Sequence, residues 1–324
     1  MYAEFFHLTG LPFQLTPDSR FFFESSVHAK AMAHLTYGLN QGEGFIVITG
    51  DVGAGKTTLV EHLCSSLDPN RYQIARISTT QTSADDTLRM VAAGFGVRTE
   101  GVEKANILQK LEVALVGAYR AGRRSLLIVD EAQNLTVPAL EELRMLSNFV
   151  VGNVPPMQSF LLGQPQFRPI MALPELEQLR QRVLASYHLG PLAEGETRAY
   201  VEHRLKRVGW QDDPHFADEA FHALYEATGG VPRKINTLCS RLLLFGFLEE
   251  THTIDVEAVA QVADELRSEL SGGPAAVPPR AALAAAEQDV GGRLARIEER
   301  IDKHDHAIKR ALAIAASYIQ GNPL

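Results

Sequence analysis

Gly50-Asp51-Val52-Gly53-Ala54-Gly55-Lys56-Thr57 is the stretch on which the reading of this chain turns. Its pattern, G-x4-G-K-[ST], is that of a loop built to hold phosphate groups. Glycines are required because backbone amides must approach the phosphates in conformations that a side chain would block. Lys56 adds a point charge for the β and γ phosphates. Thr57 offers a hydroxyl to magnesium, and Thr58 completes the set assigned to nucleotide binding. A chance match in a chain of 324 residues comes to roughly one in a hundred at average residue usage. The context sharpens it, because an apolar run precedes the loop and a helical stretch follows it.

Outward from the loop, apolar runs alternate with helical patterns. Strands are predicted at 45–49, 73–77, 126–129, 159–162 and 187–189, and helices at 56–67, 85–93, 104–121, 138–149 and 176–183. Strands separated by helices imply a parallel sheet covered on both faces. The fold class is therefore α/β, with a P-loop core at residues 45–192 preceded by a lead-in, 1–44, expected to pack on it. After Pro191 the pattern becomes helical only (195–208, 216–228, 231–248 and 256–270), which predicts an all-helical lid over 193–270. Ser271-Gly272-Gly273-Pro274 opens a linker, 271–282. Beyond it, over 283–320, Leu294, Ile301 and Ile308 fit heptad position a, with Val290, Ile297, His304 and Ala311 at d. That spacing is read as a short coiled coil serving self-association or partner binding, against a single amphipathic helix docked on its own lid.

Bulk composition narrows the field. Hydrophobic residues make up 45% and charged residues 22%, an ordinary globular balance, and the net charge is −8. That charge argues against a dedicated duplex-DNA binder, which needs cationic surface to displace counterions. Cys64 and Cys239 are the only cysteines and lie far apart, reading as reduced thiols of a cytoplasmic protein. Met1 to Phe6 has no basic n-region, and the longest apolar runs fall well short of the roughly 20 residues that a membrane span requires. No direct membrane span is expected, so any recruitment to the inner membrane would pass through partners.

A second chemical element is Leu126-Leu127-Ile128-Val129-Asp130-Glu131. Four apolar residues bury a strand, and two carboxylates emerge at its carboxyl end, where open α/β sheets place their sites. Asp130 is assigned to the magnesium shell with Thr57, and Glu131 to polarising the attacking water. A hydrolysing site also needs positive charge where the γ phosphate departs. Leu179-Arg180-Gln181-Arg182 and Gly229-Gly230-Val231-Pro232-Arg233 offer it. The first is suited to reach a neighbouring subunit, with Arg182 preferred over Arg180. The second opens a lid helix with Arg233 just inside. The histidines, His28 and His34 among them, show no ligand spacing.

Together these residues resemble an AAA+ ATPase. Within that superfamily the chain is similar to the ExeA-like ATPases of the general secretion pathway, and nearest to the secretion ATPase found at exosortase (PEP-CTERM) loci for envelope and exopolysaccharide export. The resemblance is carried by Phe5-Phe6-His7-Leu8, Pro12-Phe13, Leu15-Thr16-Pro17-Asp18 and Tyr37 to Gly44. It continues through the phosphate loop, Asp130-Glu131-Ala132-Gln133-Asn134-Leu135, Gly163-Gln164-Pro165, Arg180 to Arg182 and Gly229 to Asn236, spanning roughly residues 1–270. It implies ATP and Mg2+ as cofactors, and the loop and Asp130-Glu131 as the Walker A and B motifs. It also implies Arg182 as the arginine finger of an ATP-dependent homo-oligomer and Arg233 as the sensor 2 residue. Gln164 would occupy the sensor 1 strand end, where many relatives carry Asn, Ser or Thr, and Leu15 to Asp18 would line the adenine pocket. Secretion machinery would be met through the lid or the coil. The family typically continues into a membrane span and a peptidoglycan-binding domain, whereas this sequence ends in the linker and coil, so direct action on the wall is not expected. Two competing readings are a DNA-linked AAA+ regulator of the transposition or initiator type, and a small-molecule P-loop kinase.

Overall fold

The computed structural model describes residues 2–16, 18–78 and 83–271. The coiled-coil reading at 283–320, and the linker beyond Ser271, lie outside the described residues. Along the chain run α1 (Tyr2–Phe5), α2 (Ser26–Gln41), β1 (Phe45–Gly50), α3 (Lys56–Ser66), β2 (Tyr72–Ser78), α4 (Ala84–Gly94), α5 (Lys104–Arg120) and β3 (Arg124–Asp130). Then come α6 (Val137–Leu146), β4 (Met157–Gly163), α7 (Phe167–Met171), α8 (Glu177–Arg180) and β5 (Val183–Leu189). The remainder comprises α9 (Glu194–Lys206), β6 (His215–Phe216), α10 (Asp218–Thr228), α11 (Pro232–Leu248), β7 (Thr253–Ile254) and α12 (Val256–Ser271).

The first five strands form one parallel sheet in the order β2-β3-β4-β1-β5. Successive strand residues point to opposite faces, and both faces are covered. Phe45, Val47, Leu127 and Val129 meet Leu88 and Val91 of α4, Leu111 and Leu115 of α5 and Leu140 of α6 on one side. Ile46, Ile48, Leu126 and Ile128 meet Leu35 of α2 and Leu59 and Leu63 of α3 on the other. β1 and β4 are buried along their whole length, β1 as an apolar run from Phe45 to Ile48 and β4 with the buried polar pair Gln158 and Ser159 followed by an apolar run from Phe160 to Leu162. Burying each such side chain is worth about 1.5–3 kcal/mol.

Three expectations need correction. The lead-in does not pack on the sheet core as one piece. α2 does so through Ala31, Leu35 and Leu39, with Phe22 just before it packed against the same cluster. Phe6, Leu8, Phe13 and Phe21 instead share a buried cluster with Tyr200, Leu205, Phe216, Leu224, Ile235 and Leu242 of the helical part. The buried Arg204 fastens this segment: its Nε donates to the Pro12 carbonyl at 2.7 Å, and its guanidinium lies 4.8 Å from the Phe21 ring centre. The physical reason is apolar surface: a small helical unit buries a lower fraction of its surface than a large one, and the aromatic side chains of this segment add to its core.

The second correction is at 176–183, expected as one helix. A 3-10 turn (Pro174–Leu176) and the four-residue α8 stand there, and β5 already begins at Val183. β5 is a sheet edge with alternating burial, so only its last residues read as strand. The third is small: the part after Pro191 is not purely helical. Phe216 pairs with Ile254, and His215 with Thr253, in a two-residue parallel ladder that pins α10 to α12.

Candidate nucleotide-binding site

Parallel pairing sets Gly50, Asp130 and Gly163 at one end of the sheet, since Ser78 pairs with Asp130 and Thr49 with Gly163. The loop 51–55 leaves β1 there and opens α3. Two of its glycines have positive φ and no room for a side chain. A Cβ on Gly53 (φ 82°) would lie 2.2 Å from Arg233 Cβ, and one on Gly55 (φ 96°) would lie 2.8 Å from His28 Nε2. Lys56 is only 7% exposed. Its ammonium donates to the carbonyls of Gly50 at 2.7 Å and Asp51 at 2.9 Å. Burial pushes its pKa down, opposed by the nearby Glu131, Asp130 and Asp51 carboxylates.

Thr57 Oγ1 donates to Asp130 Oδ2 at 2.8 Å, so hydroxyl and carboxylate converge on one point. Magnesium takes hard oxygen ligands and commonly one or two protein groups, with water and phosphate oxygens supplying the rest. That donor set fits: Thr57 and Asp130 would hold the ion, whose chemistry is to neutralise charge on the phosphates. Glu131 adopts φ 54°, the left-handed region that non-glycine residues seldom visit. Its Oε2 accepts hydrogen bonds from Gln164 Nε2 at 2.9 Å and from Gln133 Nε2. Gln133 Oε1 in turn accepts from the Gln164 backbone at 2.9 Å. Both amides thus orient the carboxylate assigned to water activation.

Arg233 reaches the loop from the other unit: its backbone N–H donates to the Gly53 carbonyl at 3.2 Å. Pro at the start of α11 fixes the helix entry that presents it. Arg182 is elsewhere. Its carbonyl accepts from Phe45 N at 2.9 Å, at the start of β1, so the length of the strand, roughly 17–20 Å, separates it from its own phosphate loop. Its guanidinium donates to Ser147 O at 3.1 Å and Ser147 Oγ at 2.7 Å, and also to Asn148 Oδ1. Arg180 donates to the carbonyls of Met171 and Leu173.

Sequence reasoning overlooked His28 and gave Gln133 no role. His28 is a lone histidine in a helix, and its neighbours in space are 26–27 residues away in sequence. Gln133 stood inside the quoted Asp130 to Leu135 stretch, yet only the turn Ala132–Asn134 shows that it faces Glu131.

Residues 39–171 match the family described as AAA domain. The matched stretch holds the phosphate loop and the Asp130–Glu131 pair. Over 273 residues the sequence is 36% identical to general secretion pathway protein A of Aeromonas hydrophila, covering 83% of this chain and 50% of that protein. The chain thus spans half the length of that relative. Among solved structures, Cdc6p from Pyrobaculum aerophilum superimposes with a TM-score of 0.65 at 13% identity, over 81% of this chain and 74% of that one. The Aeropyrum pernix ORC2 protein, solved as ADPNP-ADP complexes, gives 0.58 at 16% identity, over 78% and 71%. At these identities the structural likeness speaks for the fold. The fold shared with them is the P-loop sheet with helices on both faces and a helical part after it. Among the described residues, no helix is long and apolar enough to cross a membrane.

Proposed function

We propose that this chain is a Mg2+-dependent ATPase whose cycle drives or regulates an envelope secretion machinery. The observation that carries the ATPase reading is convergence at one sheet end: Lys56, the Thr57–Asp130 pair, the oriented Glu131 and Arg233 against Gly53. In this reading the loop amides and Lys56 hold the phosphates, and Glu131 polarises the attacking water. Gln164 and Gln133 hold Glu131 in place, and Arg233 reports the γ phosphate to the helical unit. The secretion role is supported by the similarity to general secretion pathway protein A. Its finer setting, exopolysaccharide or envelope export at exosortase loci, rests on the sequence resemblance.

The central test is Glu131→Gln. The variant should bind ATP with wild-type affinity while turnover falls by about 100-fold or more, the scale of losing a group that acts in the transition state. Normal turnover would end the assignment. Oligomeric action with Arg182 as finger is tested by ATPase rate against protein concentration. Wild type should gain specific activity as subunits associate, and Arg182→Ala should lose that gain. Equal rates at every concentration in both proteins would remove the shared-site reading.

A DNA-linked regulator is the second reading, favoured by structural likeness to the Aeropyrum pernix ORC1 protein solved in complex with DNA (TM-score 0.55, 14% identity). It predicts ATP-dependent DNA binding that weakens steeply with salt. Binding absent at low salt would dispose of it.

A further inference from the structure

The phosphate loop is braced from below by a residue outside every assigned motif. His28 stands in the first turn of α2 and is 5% exposed. Ser25 Oγ lies 2.7 Å from its Nδ1, and the ring faces the Ala54 backbone, whose carbonyl favours the protonated ring. The other ring nitrogen, Nε2, abuts Gly55 closely enough to exclude any Cβ there. Burial holds the pKa of His28 below its usual value, so the ring is neutral near pH 7. A neutral ring can accept from Ser25 at Nδ1 while its Nε2–H is turned toward the Ala54–Gly55 backbone. Phe22 meets the ring edge-on, with centroids 5.8 Å apart, and its own ring stacks on His62 of α3 at 4.2 Å.

The same corner touches the helical unit. Glu196 of α9 accepts the Ser26 backbone N–H through Oε1 at 2.6 Å and the Ala193 N–H through Oε2 at 3.1 Å. One carboxylate therefore grips both chain crossings between the units: residues 22–26 leading into α2, and residues 189–194 leading into α9. Ser26 follows Ser25, whose hydroxyl both caps α2, accepting from His28 N, and orients the imidazole.

We infer that His28 is a positioning residue for the phosphate loop, and that the Glu196–Ser26–Ser25–His28 chain makes loop shape depend on where the helical unit sits. The route is distinct from Arg233, which meets the loop at Gly53 whereas His28 meets it at Gly55. It rests on the reading of this loop as the nucleotide site. Lys56, Thr57, Asp130 and Glu131 keep their roles; His28 decides whether the amides beside them are already in the phosphate-binding arrangement before nucleotide arrives.

The test is direct binding of a fluorescent ADP analogue to the full chain, with ATPase kinetics and nucleotide-free thermal unfolding measured alongside. His28→Ala should weaken binding about tenfold, the equivalent of one well-placed hydrogen bond. It should raise KM while leaving kcat within about twofold. His28→Gln, which restores a donor for Ala54 and an acceptor for Ser25, should recover most of the affinity. Glu196→Ala should weaken binding about threefold. In the double variant the losses should fall clearly short of their product, because both act on one connected element. Wild-type affinity in His28→Ala, or fully multiplicative losses in the double variant, would overturn the proposal. If His28→Ala does not fold, Glu196→Ala decides alone, and unchanged affinity there overturns it. Lys56→Ala separates the two levels. If it abolishes binding while His28→Ala does not weaken it, the nucleotide site stands and the brace falls; no binding by the wild-type chain would take both down.

Discussion

The two ends of the central sheet carry the same kind of residue in opposite circumstances. At the carboxyl end, Arg233 comes from another unit and its backbone is tied to the phosphate loop at Gly53. At the amino end, Arg182 belongs to the sheet's own approach to β5, and Ser147 and Asn148 hold its guanidinium. The contrast teaches that an arginine's place along a strand decides what it can serve. One is within a hydrogen bond of its own chain's phosphate loop. The other can reach phosphate only by leaving its present partners for another subunit.

The contrast is exposed most sharply by removing what makes the carboxyl end a site at all. Lys56→Ala should lower ATP affinity about 100-fold, because a buried charge-assisted contact is lost, and equilibrium nucleotide binding measures it. Arg233→Ala keeps the Cβ that lies over Gly53 and deletes only the arm. It should cost about tenfold in kcat/KM in a steady-state assay, with the fold unchanged by circular dichroism. An effect as large as that of Lys56→Ala would mean that the helical unit supplies a phosphate ligand outright rather than a reporter. Arg182→Ala is the smallest in dilute protein. Basal turnover should hold within about twofold, while the lost bonds to Ser147 lower stability by about 1 kcal/mol. A thermal scan should show that as a fall of roughly 2–4 °C. A large basal defect in dilute protein would erase the difference between the two ends.

How much of this the sequence made legible follows from physical locality. The phosphate loop and the Asp130–Glu131 pair announce themselves because their chemistry needs fixed residue types at fixed spacing. β1 and β3 announce themselves because strands covered on both faces are continuous apolar runs, and β4 does so through Phe160 to Leu162. β5 was legible only at its end, since an edge strand alternates and its first residues look like the tail of a helix. The partner of Phe6, Phe13 and Phe21 was not legible at all. Aromatic side chains such as these declare burial, but nothing local says that the surface covering them arrives some 190 residues later. His28 failed for the same reason: its role is defined by Ala54, Gly55 and Glu196, none of which is near it in the chain.

That N-terminal segment also has a consequence during synthesis. Phe6, Leu8 and Phe13 are made well before their buried neighbours, which extend from Leu192 to Ala263. At a translation rate of roughly 5–20 residues per second, these side chains wait on the order of 10–50 s for the rest of their core to leave the ribosome. The sheet core can form first; the helical unit can close only when both ends of its sequence are present. Phe6, Leu8 and Phe13 therefore stay uncovered while the whole sheet core is made, and that interval is when their apolar surface is open to wrong contacts.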